Sequence, residues 1–442
     1  MPNHPASFGP FLKGYPYAAP TLHRAALAGQ GWNVLRGDLP LPLAVLREAP
    51  LRHNLDWMQQ FCTDQGIELA PHGKTTMSPE LWAMQLDAGA WGMTFATVFQ
   101  ASVGVRHGVR RIIIANQVVQ SAELAALQAM RESHADLQIC FLLDSLEQLR
   151  LIEAWMDRLV APASVAPFDV LLEVGIEGQR TGCRTADQCR TLADHAHASG
   201  AVSIAGVECY EGVAAVGEHV HDKQVVGELM DRVDRLAHHL VNAGYMAHRQ
   251  EFLVTAGGSA VFDLVARRLR PGLPMPVRGI LRSGCYLTHD HQQYARFLCC
   301  MAEREGWSVQ RGEGLVPALE VLAAVQSCPE PGLALVGMGK RDVSYDLSLP
   351  VPLWRAGPAA GASSGASETS PASLPSHWRV TGLNDQHGYL RYDPHSPQGE
   401  WPRVGEVVGF GISHPCTSFD KWRWMPVVDS QWDVVDGITT HF

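Results

Sequence analysis

The unit that decides the fold is clearest in the stretch Ile67-Glu68-Leu69-Ala70-Pro71-His72-Gly73-Lys74-Thr75-Thr76-Met77-Ser78-Pro79-Glu80. Its first four residues are a short, mainly apolar run of the kind that forms a strand. A helix begins at the other end, because Ser78 is a favourable N-cap, Pro79 suits the first helical position and Glu80 suits the first turn. The stretch therefore predicts a strand, a loop that carries Lys74, and a helix.

This unit recurs to about residue 285. Eight short apolar runs indicate strands, and helix-patterned segments such as Ser121 to Glu132 and Asp222 to Ala243 lie between most of them. The runs are Ile67 to Ala70, Gly92 to Phe95, Arg111 to Ile114, Leu137 to Leu142, Val170 to Glu173, Ser203 to Val207, Phe252 to Val254 and Gly279 to Leu281. Eight strand–helix units over roughly 250 residues predict a (β/α)8 barrel. A doubly wound sheet is the alternative, because strand order is not visible in a sequence.

After Asp290 the pattern changes to β-leaning runs separated by Gly, Pro and Asp turns, which predicts a smaller all-β domain. We expect a barrel at 48–298, the β domain at 299–442, and an N-terminal segment at 1–47 that joins the β domain in part. That segment ends in Pro40 to Leu46, a strand-like run that could belong to either domain. Ala356 to Ser376 contains 18 Ala, Gly, Ser or Pro among its 21 residues, which predicts a flexible surface insertion.

Composition and charge exclude several classes of function. The 442 residues carry 35 basic and 45 acidic side chains, a net charge of −10, without a block of Lys or Arg that could neutralise a nucleic-acid backbone. No apolar stretch approaches the ~20 residues that span a bilayer, and the N-terminus lacks the features of a secretory signal, so we expect a cytoplasmic protein. The ten cysteines lack the paired short spacings of a secreted scaffold, which predicts reduced thiols, with Cys62 and Cys140 buried.

The loops after the strands hold the candidate chemistry, because the C-terminal ends of barrel strands form the catalytic face. Lys74 emerges there from apolar surroundings and could form a Schiff base with a carbonyl compound; the alternative is an ordinary exposed lysine. Two glycine junctions, Thr255 to Ser259 and Arg282 to Tyr286, follow the last two strands, where barrels commonly bind phosphate through backbone amides. Each alone is an ordinary turn, but the two together, opposite Lys74, predict a phosphorylated cofactor.

Other polar residues have both a functional and a structural interpretation. Arg180, after the fifth strand, could pair with a phenolate or carboxylate, or could cap loop carbonyls. Glu208 to Gly212 occupies the same level after the sixth strand. His414 and Cys416 would point to one face of an extended segment and could hold zinc, although two ligands are half a site. Asp385-Gln386-His387-Gly388 offers another imidazole, for which an Asx-type turn is the alternative.

In their order along the chain, these motifs resemble the D-serine dehydratase and D-threonine aldolase family. That family has the alanine-racemase-like fold, a pyridoxal-phosphate (PLP) barrel with a β domain, and the likeness runs from about Pro40 to the C-terminus without the insertion. The motifs are His72 to Thr75, Gly175 to Gly182, Tyr210 to Gly212, Gly257 to Ser259, Leu281 to Tyr286, Asp385 to Gly388 and His414 to Cys416. One departure is Ala260-Val261, where the family often has a hydroxyl residue and a proline, so a side-chain hydroxyl contact to phosphate is not expected there.

The resemblance implies a role for each matching residue. Lys74 matches the catalytic lysine that holds PLP, Arg180 the arginine near its phenolic oxygen, and Tyr210 a tyrosine that contacts it. The residues that match the phosphate loops are Gly258, Ser259, Gly284 and Cys285, and those that match the metal ligands are His414 and Cys416. Thiolate and imidazole favour zinc over harder ions, with manganese as the alternative.

The resemblance also bears on the reaction. Family aldolases tend to carry a carboxylate where Cys416 stands, which favours a PLP- and metal-dependent dehydratase of D-3-hydroxy amino acids. A D-serine-like substrate would give a 2-oxo acid and ammonia. The alternatives are retro-aldol cleavage to glycine and an aldehyde, amino-acid racemisation, and a non-enzymatic PLP carrier. A homodimer is also expected from the family.

Overall fold

Two large sheets organise the chain. The structure, a computed structural model, describes residues 7–159, 165–357 and 370–442. The strands are, in chain order, β1 (Ser7–Phe8), β2 (Leu22–His23), β3 (Leu43–Arg47), β4 (Glu68–Leu69), β5 (Met93–Phe95), β6 (Arg111–Gln117), β7 (Gln138–Leu143), β8 (Phe168–Val174), β9 (Val202–Cys209), β10 (Phe252–Ala256), β11 (Val277–Leu281), β12 (Leu319–Glu330), β13 (Leu333–Val336), β14 (Val351–Ala356), β15 (Ala372–Ser373), β16 (Arg379–Leu383), β17 (Gly388–Arg391), β18 (Val407–Gly411), β19 (Trp424–Val428) and β20 (Val434–Thr439).

Helices connect most of the parallel strands and also precede and follow the barrel sheet. They are α1 (Glu48–Asp64), α2 (Pro79–Asp87), α3 (Val98–Arg106), α4 (Ser121–Ser133), α5 (Leu146–Met156), α6 (Ala186–Ala198), α7 (His219–Asn242), α8 (Phe262–Ala266), α9 (Gln293–Glu305) and α10 (Cys416–Phe419). None of the helices in the described ranges is both long and apolar enough to cross a membrane.

The first sheet is the predicted barrel. Its eight parallel strands lie in the order β4-β11-β10-β9-β8-β7-β6-β5, and each of the eight predicted runs overlaps one of them. The two ends of this sheet meet, because His72 and Thr94 form a parallel bridge and the Thr94 amide donates to the Pro71 carbonyl at 2.8 Å. A doubly wound sheet would leave its two edges apart, so the barrel prediction is confirmed and the alternative is wrong.

Alternation along the strands produces separate apolar clusters inside and outside the barrel. Successive side chains of a strand point to opposite faces. Ile113 belongs to the cluster inside the barrel, whereas Ile112 and Ile114 belong to the main core that includes the helices. Parallel strands buried on both faces are apolar throughout, which is why the runs were visible in the sequence. Cys62 and Cys140 are buried as predicted, and all ten cysteines are free thiols.

The second sheet is antiparallel along the path β15-β14-β18-β12-β13-β17-β16. The N-terminal strand β3 joins it by antiparallel pairing with β12 and parallel pairing with β19, which in turn pairs with β20. The sequence did not predict β14 or β19. Each contains a proline, Pro352 or Pro426, and proline argues against a strand in a sequence because it cannot donate to the ladder.

The predicted insertion begins and ends in this sheet. Ala356 is the last residue of β14, and Ala372–Ser373 returns as β15 to pair with Trp354 and Arg355. Residues 358–369, on which most of the predicted flexibility falls, lie outside the described residues. The structure therefore places the base of the insertion at an edge of the β sheet, beside β14.

The C-terminal strand fixes the segment that follows Lys74. Helix α2 begins at Pro79 with Ser78 as N-cap, as predicted, but the Ser78 hydroxyl donates to Glu80 at 3.0 Å and does not cap the helix. The same Glu80 carboxylate accepts both the amide of Thr439 at 3.2 Å and its hydroxyl at 2.9 Å. Buried Glu80 thus joins the barrel to the β domain directly after the Lys74 loop.

Candidate active site

The structure brings all of the predicted site residues together. They line one cavity of about 560 Å³ at the C-terminal ends of the barrel strands, closed on one side by the β domain. The residues that were predicted and that line it are Lys74, Arg180, Tyr210, Gly258, Ser259, Gly284, Cys285, His414 and Cys416. Loops after barrel strands are the usual position of a barrel active site, so this cavity is the candidate active site.

Lys74 lies in a tightly packed turn after β4. It is the middle residue of the 3-10 turn Gly73–Thr75. A side chain at Gly73 would approach Phe95 to 2.6 Å, and Trp82 Nε1 donates to the Gly73 carbonyl at 3.2 Å. The backbone of the turn is thereby held in place. Within the described ranges the Lys74 amine has no ion-pair partner, which leaves it able to react with a ligand.

The sequence left two roles open for Arg180, capping of loop carbonyls and pairing with a ligand. In the structure Arg184 caps the loop carbonyls, and Arg180 faces the cavity. Arg184 caps the loop, because its guanidinium donates to the carbonyls of Thr181 at 2.8 Å and Gln179 at 2.9 Å. Arg180 instead lies over the ring of Tyr210, with its Cζ 4.4 Å from the ring centroid. Burial raises the pKa of Tyr210 to about 12, so its phenol stays neutral. Arg180 is therefore a cation at the cavity with its charge available to a ligand.

The predicted contact of the Gly258 amide with phosphate is corrected. The amide of Gly258 donates to Glu211 at 2.7 Å, and that of Gly257 donates to the same carboxylate at 3.1 Å. Gly258 lines the cavity, but Glu211 already occupies its amide, so that donor is not available to a phosphate. The sequence could not reveal this, because Glu211 reaches the loop from the end of a different strand.

The next amides along the two loops remain available. In the described part of the chain, the amides of Ser259, Ala260 and Gly284 have no hydrogen-bond acceptor, and all three residues line the cavity. The Cys285 amide, in contrast, is not available to a phosphate, because it donates to Ser259 Oγ at 3.2 Å, so the predicted phosphate contact of Cys285 is corrected as well. Gly284 must be glycine, since a Cβ there would lie 2.7 Å from the His72 carbonyl oxygen. Free amides in a glycine loop form an anion site.

Sequence reasoning did not assign Arg282 or Glu208, which form a buried ion pair at the cavity. Arg282 also donates to the Cys209 carbonyl at 2.9 Å, but its Nε and Nη1 have no partner among the described residues. Glu208 Oε2 and the buried Nδ1 of His72 are also without partners. Both charged residues follow or end a barrel strand, and that position was the signal that could have identified them.

Glu173 is a second carboxyl group that lines the cavity and that the sequence did not assign. It accepts a hydrogen bond from Thr181 Oγ1 at 2.9 Å and another from the Gln117 amide. Burial, together with the nearby charge of Glu208, raises the pKa of Glu173 to about 7. The cavity therefore contains a carboxyl group that changes its charge near neutral pH.

His414 belongs to the β-domain side of the cavity. Its Nδ1 lies 2.6 Å from Asp346 Oδ2, and the other oxygen of Asp346 accepts the hydroxyl of Thr417 at 2.7 Å. Burial alone would lower the pKa of His414, but its contacts with Cys416 and Asp346 raise it to about 9. The contact at Nδ1 orients the ring and leaves Nε2 for another partner.

Cys416 approaches the barrel side of the cavity. Its Sγ lies 3.5 Å from the hydroxyl oxygen of Thr75 and 3.7 Å from the Sγ of Cys285. Hydrogen bonding with Cys285 and with His414 lowers the pKa of Cys416 well below its ordinary value, whereas the same thiol contact and burial raise that of Cys285. The pair therefore favours a thiolate on Cys416 and a thiol on Cys285.

The structure adds no third protein ligand to the predicted metal ligands His414 and Cys416 among the described residues. Across the described ranges, no cluster of three or more His, Cys, Asp and Glu side chains is arranged to hold a metal ion. His387 is exposed and lies away from the cavity in the turn between β16 and β17, where the Asn384 amide donates to its carbonyl at 2.8 Å. The structure therefore supports a turn, and not a ligand role, for the motif Asp385 to Gly388.

A barrel with a lysine after its first strand, completed by an antiparallel β domain, is the architecture of the alanine-racemase-like, fold-type III PLP enzymes. Residues 47–297 match the family model described as alanine racemase, N-terminal domain, and residues 318–428 match the putative serine dehydratase domain. The chain therefore belongs to the alanine-racemase-like family of PLP enzymes, as its resemblance implied.

Relatives with both candidate activities are similar to the chain. A D-threonine aldolase from Arthrobacter sp. is 26% identical over 394 residues, which cover 88% of each protein. A D-threo-3-hydroxyaspartate dehydratase from Delftia sp. (strain HT23) is 30% identical over 155 residues, 35% of this chain and 39% of the dehydratase. The crystal structure of D-threonine aldolase from Filomicrobium marinum has the same fold, with a TM-score of 0.73, 22% identity, and coverage of 93% of this chain and 96% of the aldolase chain.

Proposed function

We propose that the chain is a PLP- and metal-dependent lyase that dehydrates a D-3-hydroxy amino acid, converting a D-serine-like substrate to a 2-oxo acid and ammonia. The main observation in support of the proposal is that His414 and Cys416 of the β domain line the same cavity as Lys74 of the barrel. Cys416 Sγ lies 3.5 Å from Thr75, the residue next to Lys74. A base and a metal site in one cavity support proton removal at Cα together with loss of a hydroxyl group from Cβ.

The residues of the cavity fit PLP. Lys74 would bind its aldehyde carbon, since the amine has no ion-pair partner in the described chain. The amides of Ser259, Ala260 and Gly284 would receive its phosphate. The unpartnered nitrogens of Arg282 offer donors for a polar ring atom, which accounts for their lack of a protein acceptor. Bound PLP supplies an electron sink that stabilises negative charge at Cα.

The protein's own groups would position the substrate and move its proton. Once the substrate amine has replaced it, the Lys74 amine would accept the α proton of the D-amino acid. Arg180, which lies over the ring of Tyr210, would pair with the phenolic oxygen of the cofactor. The proposed dehydration needs a base on one face of Cα only, whereas a racemase needs a base on each face.

His414 and Cys416 fit a divalent metal of borderline softness. Imidazole and thiolate favour zinc, with manganese as the alternative. The contact of Asp346 with His414 Nδ1 is of the kind that orients a metal-binding imidazole. Hydroxide is a poor leaving group, and a metal at this site would act as a Lewis acid on the β-hydroxyl of the substrate.

Retro-aldol cleavage is the second candidate function. The observation that favours it is the D-threonine aldolase of Arthrobacter sp., whose match spans 88% of this chain against 35% for the dehydratase of Delftia sp.. In that reaction a base takes the proton of the β-hydroxyl and the Cα–Cβ bond breaks. Cys416 favours dehydration, because the family resemblance associates a carboxylate at that position with the aldolases.

The products separate the two reactions. The protein, loaded with PLP and zinc, is incubated with D-serine, D-threonine, D-3-hydroxyaspartate and their L enantiomers, and 2-oxo acid, ammonia, glycine and aldehyde are measured. We expect 2-oxo acid and ammonia in equal amounts from D substrates only, with loss of activity after chelation and recovery with zinc. Glycine and an aldehyde as the main products would overturn the dehydratase proposal in favour of the aldolase. Full activity after metal removal would contradict the role of the metal.

The remaining family expectations stay predictions with simple tests. Conversion of a D-amino acid to its L enantiomer, followed by chiral chromatography, would identify a racemase. PLP binding without turnover of any substrate in the panel would identify a carrier. Light scattering of the purified protein tests the expected homodimer.

A further inference from the structure

Two cysteines from different domains face each other in the cavity. The Sγ atoms of Cys285 and Cys416 are 3.7 Å apart. Cys285 begins the 3-10 turn Cys285–Leu287 after the last barrel strand, whereas Cys416 begins α10 of the β domain. The hydroxyl of Thr75 lies within 3.9 Å of both sulfur atoms. Both thiols are free in this structure.

We propose that Cys285 and Cys416 form a reversible redox pair, which a small-molecule disulfide such as oxidised glutathione converts into a disulfide between the barrel and the β domain. A disulfide needs an S–S distance of about 2.0 Å. The two sulfurs, now 3.7 Å apart, must therefore approach each other by roughly 1.7 Å for the bond to form. No other residue lies between the two sulfur atoms, which are in direct contact.

The exposure of the two thiols sets the order of the steps. Cys416 is half-buried and lines the cavity, whereas Cys285 is only 5% exposed. The Cys416 thiolate attacks one sulfur of oxidised glutathione, which forms a mixed disulfide and releases one glutathione thiolate. Cys285 then loses its proton to solvent and attacks the sulfur of Cys416, which expels the second glutathione. Two protein thiols have lost two electrons and two protons, and the glutathione disulfide is reduced to two thiols.

The consequence for the enzyme rests on the proposed function. If Cys416 holds the metal, the disulfide removes one of the two protein ligands, and a bound metal in turn protects the thiolate from oxidation. The disulfide also ties the loop that contains Gly284 to the β domain, beside the amides proposed for phosphate. Oxidation would thus switch the enzyme off reversibly, and metal binding and disulfide formation would exclude each other.

Mass spectrometry of the full-length protein tests the pair without reference to activity. Metal-free protein is incubated in glutathione buffers, free thiols are blocked with N-ethylmaleimide, and an unreduced digest is analysed. We expect a peptide pair joined through Cys285 and Cys416 that separates on addition of dithiothreitol. Blocked thiols at both positions in the oxidised wild type, or a stable glutathione adduct on Cys416, would overturn the proposal.

Variants and zinc sharpen the result. In Cys285→Ser, oxidation should stop at the glutathione adduct of Cys416, because the resolving thiol is missing. Cys189→Ser is the matched control: Cys189 is also buried beside another thiol, Cys183, but lies away from the cavity, so the cross-link should form as in the wild type. Zinc added before oxidation should prevent the cross-link. A cross-link that forms equally fast with zinc bound would leave the redox pair standing and contradict Cys416 as a metal ligand.

Discussion

The guanidinium of Arg282 forms an ion pair with the carboxylate of Glu208, and both side chains are almost completely inaccessible to solvent, at 4% and 1% exposure. Glu208 ends strand β9 together with Cys209, whose carbonyl accepts a second hydrogen bond from Arg282 at 2.9 Å. A buried ion pair adds little stability compared with apolar residues, but removal of one partner leaves an uncompensated charge. The stability of each buried charge therefore depends on the presence of the other, and both side chains line the cavity.

Glu208→Ala should destabilise the protein strongly. We expect the free energy of unfolding, measured by urea denaturation without cofactor, to fall by about 3–5 kcal/mol, because Arg282 is left as an unpaired buried charge. Glu68→Ala is the matched control, since Glu68 also pairs with an arginine on a neighbouring barrel strand but is 40% exposed. Its effect should stay within about 1 kcal/mol. Equal effects of the two substitutions would show that the Arg282 pair is not specially dependent on Glu208.

Lys74→Ala should remove the covalent hold on PLP. We expect loss of the visible absorbance of covalently bound cofactor, and a fall in kcat of about 10²–10⁴-fold from loss of the base alone. Lys223→Ala, on the exposed face of α7, should change neither quantity. Absorption spectroscopy and circular dichroism of the same samples separate a chemical effect from unfolding. An unchanged spectrum for Lys74→Ala would contradict every cofactor interpretation of this site.

The barrel could be predicted from the sequence because its strands are buried on both faces. Runs such as Ile112 to Ile114 are then apolar without interruption, and the helices between them follow a different period. The β domain was harder to predict, since β14 and β19 each contain a proline. Strand order and closure of the barrel depend on contacts such as that between His72 and Thr94, which no local pattern records.

The site residues were predicted through two kinds of signal. Position at the end of a strand identified Lys74 and Arg180, while the meeting of His414 and Cys416 with them came only from the family resemblance. The sequence could not reveal that protein side chains and the cofactor phosphate would compete for the same backbone amides. Glu211 takes the Gly258 amide that was assigned to phosphate, because a carboxylate from another strand reaches it at 2.7 Å.

Asp346→Asn should weaken metal binding without removing a ligand. The carboxylate contacts His414 Nδ1 at 2.6 Å and is itself fixed by Thr417, so it orients the imidazole that we propose binds the metal. Loss of such a contact typically lowers metal affinity by about 10–100-fold. Competition with a chromogenic chelator measures zinc affinity directly. Asp420→Asn is the control, because that carboxylate contacts Lys421 and not the cavity; equal zinc affinity in all three proteins would contradict the assignment.

Two histidines outside the cavity lining, His289, which is buried, and His291, which is half-buried, give the fold an acid sensitivity that is separate from catalysis. His289 is 2% exposed, and neither of its ring nitrogens has a partner in the described chain. Burial lowers its pKa to about 3, with a contribution from neighbouring His291, and burial lowers the pKa of His291 to about 4. Both rings therefore stay neutral in the native protein at a pH where an unfolded chain, with a histidine pKa of about 6.5, already binds protons.

The sign of the pH effect follows from that difference. As the pH falls below about 6.5, the unfolded state takes up protons that the native state does not bind, so the free energy of unfolding decreases. Each of the two histidines contributes at most about 1.4 kcal/mol per pH unit, a limit that is approached once the unfolded chain is fully protonated. His289→Gln removes one of these sites, and its loss of stability between about pH 6 and pH 5 should be smaller than that of the wild type by roughly 1 kcal/mol. Urea denaturation of both proteins across this range measures the two slopes. Parallel slopes would show that His289 binds its proton equally in both states, and would contradict the burial argument.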